Sequence, residues 1–217
     1  MAEPFIFVLF KLVWQDLLED IAYDSMKKSW QTLQILIDQN KQHKQVSQDL
    51  IVALEKCFNL SLKTIAEKCR DDLIKNSTFT QYRGAKIYKP IEKDTDIKNL
   101  ENKINLLEKQ LKQLNTNRLD NSSVIKPDQL HELLIQLSQP NYQHSPEVKQ
   151  DINNQLFKQA EKDCHVNIYK ATIRDEKNGL HKQIFYNFLI VIEPNEQLNR
   201  IFNAGTYLIL NHVQKKI

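Results

Sequence analysis

The sequence predicts an all-α fold, and three observations predict it. Only 3 Gly and 6 Pro occur in 217 residues, too few for the tight turns of an all-β fold or the Gly-rich loops of nucleotide-binding α/β proteins. Leu, Lys, Gln and Glu make up much of the chain, and these side chains lose little freedom in a helix. The sharpest signal is a heptad seam. Ile97, Leu100, Ile104, Leu107, Leu111 and Leu114 recur at alternating steps of three and four in a stretch otherwise rich in Lys, Glu, Gln and Asn. The expected architecture is an N-terminal three-helix unit over 1–76, a linker over 77–93, a coiled-coil-like helix over 94–118 and a C-terminal helical bundle over 125–217.

The first helix is expected from about Pro4 to Tyr23. Phe10, Val13, Trp14, Leu17, Leu18 and Ile21 form an apolar stripe opposite Gln15, Asp16, Glu19 and Asp20. A second helix, capped by Asp24 or Ser25, places Met26, Trp30, Leu33 and Ile37 on one face. Gln39 to Gln45 reads as a polar turn. Ser47 then reads as an N-cap, with Val46 and Ile51 placed as a hydrophobic staple. Leu50, Leu54, Cys57, Phe58, Ile65, Cys69 and Leu73 keep helical spacing to about Ile74. The periodicity fails between Asn76 and Lys93, where Gly84 and Pro90 mark an exposed linker.

Asp94, Thr95 and Asp96 are placed to cap the seam helix and complement its dipole. With Ile97, Ile104 and Leu111 at position a and Leu100, Leu107 and Leu114 at d, the pattern favours a parallel two-stranded coil. Lys103 would then face Glu108 of a partner chain. Two readings of the seam stand side by side. About three heptads is short for an independent coil, and Leu106 widens the stripe, so the helix either packs within its own protein or self-associates.

Asn115 to Ser123 reads as a second break, and a short helix follows around Pro127 to Leu137. Ser145 with Pro146 is a start signal, because proline at the first helical position forfeits no hydrogen bond. Val148, Ile152, Leu156, Ala160 and Cys164 line one face of the helix that begins there. Val166 to Ile173 suits helix or strand. Asn178-Gly179 marks a turn, and Ile184, Phe185, Phe188, Leu189 and Ile192 fit a helix, with a buried strand as the alternative. Pro194 and Asn195 separate this from a final helix carrying Leu198, Ile201, Phe202, Leu208 or Ile209, and Val213. Gly205 within that helix costs about 1 kcal/mol relative to Ala and permits a close crossing.

The net charge of +3 sits in the middle of the chain. Residues 1–76 carry 10 basic and 11 acidic side chains, 77–124 carry 9 and 6, and 125–217 carry 11 and 10. Such a small, dispersed excess argues against nucleic acid as a partner. Cys57, Cys69 and Cys164 form an odd set without CxxC spacing, which points away from disulfides and zinc and toward a reducing cytoplasm. Phe5 to Phe10 is apolar, but Glu3 takes the place of a basic leader region. Lys11, Gln15 and Asp16 interrupt the run before it could span a bilayer.

No catalytic constellation emerges. His131-Glu132 opens like a zinc-protease helix, yet Ile135 stands where the second His must share its face. Asp94-Thr95-Asp96 opens like a calcium loop, with Asn99 and Asn105 at the positions that need Gly and a bidentate Glu. Cys164 and His165 are neighbours, and adjacent residues on a helix point about 100 degrees apart, too far for a nucleophile and its base. GxxxxGK[ST], GxGxxG and GxSxG are all missing from the sequence. The chain is therefore expected to be no enzyme, to need no cofactor or metal, and to bind protein, its own copies included.

Two ends of the chain carry a resemblance. The opening Met1-Ala2-Glu3-Pro4-Phe5-Ile6-Phe7-Val8-Leu9-Phe10-Lys11-Leu12-Val13-Trp14, with Lys28-Ser29-Trp30 and the Asp49–Leu54 helix, resembles the helical N-terminal regions of bacterial NACHT-type STAND NTPases. Asn195 through Phe202 and on to Leu210 is similar to the helix that often closes such a region. The chain stops before any Walker A motif, so the resemblance implies a fragment or a stand-alone relative without ATP hydrolysis. It implies an adaptor or oligomerisation module in bacterial antiviral defence or signalling, and assigns no catalytic residue. The alternative expectation is a membrane-active effector inserting Phe5 to Trp14 into a bilayer surface, although Lys11 is a sparse basic face for that task.

Overall fold

The computed structural model describes residues 5–20, 43–82, 90–116, 146–196 and 198–199. Among these residues the fold is all-α: α1 (Phe5–Asp20), α2 (His43–Tyr82), α3 (Pro90–Thr116), α4 (Pro146–Ala160), α5 (Asn167–Ile173) and α6 (Leu180–Ile192), with no strand. The helices expected around 24–37 and 127–137, the segment 83–89, and the last helix beyond Asn199 lie outside the described residues.

The fold is organised around α2. This 40-residue helix spans about 60 Å at 1.5 Å per residue, and α1, α3, α5 and α6 all pack on it. It runs further than its expected bounds at both ends. Ser47 lies inside the helix rather than at its cap, because Lys44 and Gln45 are good helix formers and nothing upstream of Val46 stops the turn from closing. At the other end the helix continues past Ile74 to Tyr82, since no Gly or Pro intervenes before Gly84. Similarly α3 begins at Pro90, with the proline at its first position, so Asp94, Thr95 and Asp96 fall in its second turn instead of capping it.

Helices α2 and α3 form an antiparallel hairpin. Lys63 of α2 pairs with Glu108 of α3 at 3.2 Å. Seven residues nearer the connection on each helix, Arg70 is held protonated chiefly by its bond to Asp71, with Glu101 of α3 adding to the field. The residue numbers at these two neighbouring positions keep a constant sum, the mark of antiparallel register.

The other helices add to the same core. Val8, Leu9, Leu12, Val13 and Trp14 of α1, Leu50, Leu54, Cys57 and Ile65 of α2, and Ile184, Phe185, Phe188 and Ile192 of α6 belong to one buried cluster. That core joins helices from both of the expected units, 1–76 and 125–217: α1 packs on α4 and α6, and α2 on α5 and α6. Phe5 meets the edge of Phe58 with ring centroids 4.9 Å apart. At the α2–α6 crossing, buried Ser61 donates to the Cys57 carbonyl at 2.7 Å and accepts from Asn187 Nδ2 at 2.8 Å. Its hydroxyl is thereby satisfied without water, as burial demands.

Local chemistry explains the C-terminal elements. Pro146 opens α4 as its spacing predicts, with Glu147 in the first turn and Lys158 in the last, each favourable to the helix dipole. The helix stops at Ala160, and Asp163 adopts φ 63° in the following turn, so Cys164 is buried from a turn rather than from the expected helix face. The ambiguous 166–173 run is helix α5, and α6 takes the helical alternative. Between them, Asp175 Oδ1 accepts from the backbone N–H of Lys177 and Asn178, each at 2.8 Å. Gly179 then approaches the chain so closely that a Cβ there would strike the Asp175 carbonyl oxygen. After Pro194, Asn195 Oδ1 accepts from the Leu198 N–H at 3.0 Å while its Nδ2 reaches Asp49, tying the start of the next turn to α2.

Candidate interaction surfaces

The seam on α3 and the outward face of α6 are the surfaces with candidate function. On α3, Leu100, Ile104 and Leu107 are buried, while Ile97, Leu111 and Leu114 are partly exposed. The buried members lie in the same cluster as α2, and α3 packs on α2 more extensively than any other described pair. Within this chain, then, the seam's central ridge is filled by an antiparallel neighbour. Lys103 and Glu108, expected to meet across a two-chain interface, are engaged inside the chain. Glu108 holds Lys63, and Lys103 Nζ donates to the Lys162 carbonyl at 3.1 Å.

Lys103 is the functional-looking residue that sequence reasoning misplaced. It stands between Leu100 and Leu107 on the buried face and is only 9 % exposed. Its ammonium caps the turn that ends α4, where carbonyls lacking helical partners attract a cation. Burial lowers its pKa from the ordinary 10.5, with Cys164 and Asp163 opposing the shift and Lys162 reinforcing it. A lysine with a depressed folded pKa pays its desolvation cost in full below that pKa. As pH rises through it toward the unfolded value, the unfolded chain holds the proton the native chain has released, and stability increases. Comparing wild type with Lys103→Met in urea melts, we expect the difference to move in the wild type's favour as pH climbs toward 10.5. A gap that stays constant would contradict this.

The cysteines are structural. Cys57, Cys69 and Cys164 are all free and buried, and burial pushes each thiol upward. Cys69 Sγ donates to Thr172 Oγ1 at 3.4 Å, helping to dock α5 on α2. Cys164 is buried while His165 points to solvent, so the adjacent pair does not converge. Thiolate being the reactive form, we expect native protein to be inert to a thiol-specific disulfide reagent and all three cysteines to react once urea unfolds it. Fast labelling without urea would refute this. Among the described residues, no group of three or more His, Cys, Asp or Glu comes together to hold a metal. None of the described helices is long and apolar enough to cross a membrane.

The α6 surface was not singled out from sequence. Its inward side buries Ile184, Phe185, Phe188 and Ile192, yet on its outward side Tyr186 is 45 % and Ile190 64 % exposed. Leu189 and Val191 flank them, partly exposed. The signal was present in Leu180–Ile192, whose apolar residues fill a wider arc than a single core-facing stripe. No protein-family model matches the chain, and neither does any curated protein or solved structure.

Proposed function

We propose that this chain is a non-enzymatic helical protein-interaction module, an adaptor or oligomerisation unit, and that the outward face of α6 is its binding surface. The observation that carries the reading is Ile190, 64 % exposed beside Tyr186 on the side of α6 that faces away from the buried Ile184, Phe185, Phe188 and Ile192. Exposed apolar residues grouped on one helix face mark docking sites. The resemblance of both ends to the N-terminal regions of NACHT-type STAND NTPases supports a cytoplasmic role in bacterial defence or signalling.

A bilayer-inserting role for α1 gains no such support. Val8, Leu9, Phe10, Leu12, Val13 and Trp14 are spent on the core, so insertion would first require tearing α1 away from α2, α4 and α6. Flotation with anionic vesicles tests this directly, and folded protein is expected to stay with the aqueous fraction.

The module reading is tested by a photo-crosslinking amino acid placed at Ile190 in living cells, with exposed Glu176 as the control position. Discrete protein adducts from position 190 and none from 176 are expected. Absence of adducts at 190 would defeat the reading.

A further inference from the structure

The turn between α5 and α6 contains the chain's only Asn-Gly dipeptide, Asn178-Gly179, and holds it in an arrangement that opposes its own chemistry. An asparagine followed by glycine cyclises readily in an open chain, because the glycine has no side chain to hinder attack of its backbone nitrogen on the asparagine carboxamide. The reaction makes two demands. The glycine nitrogen must give up its proton, and the peptide unit must turn so that this nitrogen reaches the asparagine Cγ.

The fold resists both. The Gly179 N–H donates to the Asp175 carbonyl at 2.9 Å, and the Gly179 carbonyl accepts the first bond of α6 from the Gln183 N–H at 3.1 Å. On the other side of the dipeptide, Asp175 Oδ1 takes the N–H groups of Asn178 and Lys177, and these two bonds hold the Asp175 carboxyl below its ordinary range. Asn178 is exposed while Gly179 and Leu180 are buried. Water therefore reaches the carboxamide, and the nitrogen that must attack it is pinned.

We infer that Asn178-Gly179 is a self-modification site kept latent by this turn, which reacts when the turn opens and then prevents it from closing again. Hydroxide removes the Gly179 amide proton, the nitrogen bonds to Asn178 Cγ, and the carboxamide C–N bond breaks as ammonia leaves with a proton from water. Water then opens the cyclic imide at either carbonyl. One water is consumed and one ammonia released overall, with no oxidation or reduction. Opening at Cγ's partner carbonyl in the main chain gives isoaspartate, whose backbone runs through Cβ and Cγ and is one atom longer. That atom displaces Gly179 from the Asp175 carbonyl, just where Leu180 and Ile184 enter the core. Local opening of a turn requires less free energy than global unfolding, so the product accumulates as a one-way record of such openings.

Peptide mapping by mass spectrometry tests this on wild type, Asp175→Ala, Asp175→Asn and Asn178→Gln. Each is incubated in mildly alkaline buffer, folded and in urea, and the isoaspartate and aspartate formed at position 178 are measured. Wild type in urea is expected to react at least about tenfold faster than folded wild type, since the bonds to Asp175 must be given up first. Folded Asp175→Ala should outpace folded wild type, and Asp175→Asn, which keeps a neutral acceptor oxygen, should fall between them. In urea these three should react alike, and Asn178→Gln should give no product. Circular dichroism of each folded sample separates opening of the turn from loss of the whole fold; if Asp175→Ala loses its helical signal, Asp175→Asn carries the comparison. A folded wild type as fast as the unfolded chain, or folded Asp175 variants as slow as wild type, would overturn the proposal. So would an isoaspartate-containing chain that refolds to the melting profile of fresh protein.

Discussion

Leu107→Asp is expected to destabilise the single chain by about 5 kcal/mol or more, enough to unfold much of it at room temperature. Leu107 is only 2 % exposed, in the core shared with α2. Truncating a buried leucine alone costs about 2–5 kcal/mol. A carboxylate must then either enter that apolar contact charged or take up a proton, which adds further cost. Since domains are stable by only about 5–15 kcal/mol, the loss is a large share of the whole. Helical circular dichroism in a urea series measures it. A variant that kept its melting profile while its mass fell from two chains to one would mean that the seam serves a partner chain instead.

The second large effect separates the two sides of α6. Phe188 is fully buried, and Phe188→Ala is expected to cost about 3–5 kcal/mol through lost burial and the cavity left behind. Ile190→Ser, two residues along the same helix, removes apolar bulk from the outward side and should change stability by less than about 0.5 kcal/mol. Thermal melts of both variants at low protein concentration give the contrast. Equal losses would mean that the outward face is packed within the chain and is no docking surface.

The all-α class was legible because scarce turn residues and helix-compatible composition act locally, before any tertiary contact forms. The seam on α3 was legible for the same reason. What fills it was not, because a heptad pattern names an apolar ridge and leaves open whether the opposing ridge lies in the same chain. The resolving information sits in the pairing of Lys63 with Glu108, which becomes readable only once the register is known. Lys103 illustrates the limit further. Its charge assigns it to solvent by type, and the Lys162 carbonyl in the turn after α4, 59 positions away in sequence, helps to make its burial tolerable, with Asp163 and Cys164 close by.

Element ends were the least legible feature. Ser47 has the chemistry of a cap and Asp94 to Asp96 the chemistry of a helix start, yet α2 and α3 both extend past them, because a long packed helix recovers more by burying its apolar face than it loses by leaving a capping residue unused. Val166 to Ile173 contains residues that suit a strand, and packing on α2 settles it as helix α5. The outward apolar pair on α6 was hidden by a different ambiguity. Tyr186 and Ile190 look like core residues in a run this apolar, and the packing of α1, α2 and α5 against the helix reveals which side of it is left over.

Helix α3 grips α2 of its own chain in antiparallel register. Spin labels on cysteines introduced at Lys63 and Glu108, read by dipolar broadening of the continuous-wave electron paramagnetic resonance spectrum, test that grip most directly. The prediction is a single short distance that persists when labelled protein is diluted into a large excess of unlabelled protein. A short distance that vanishes on dilution, or a long one throughout, would contradict it.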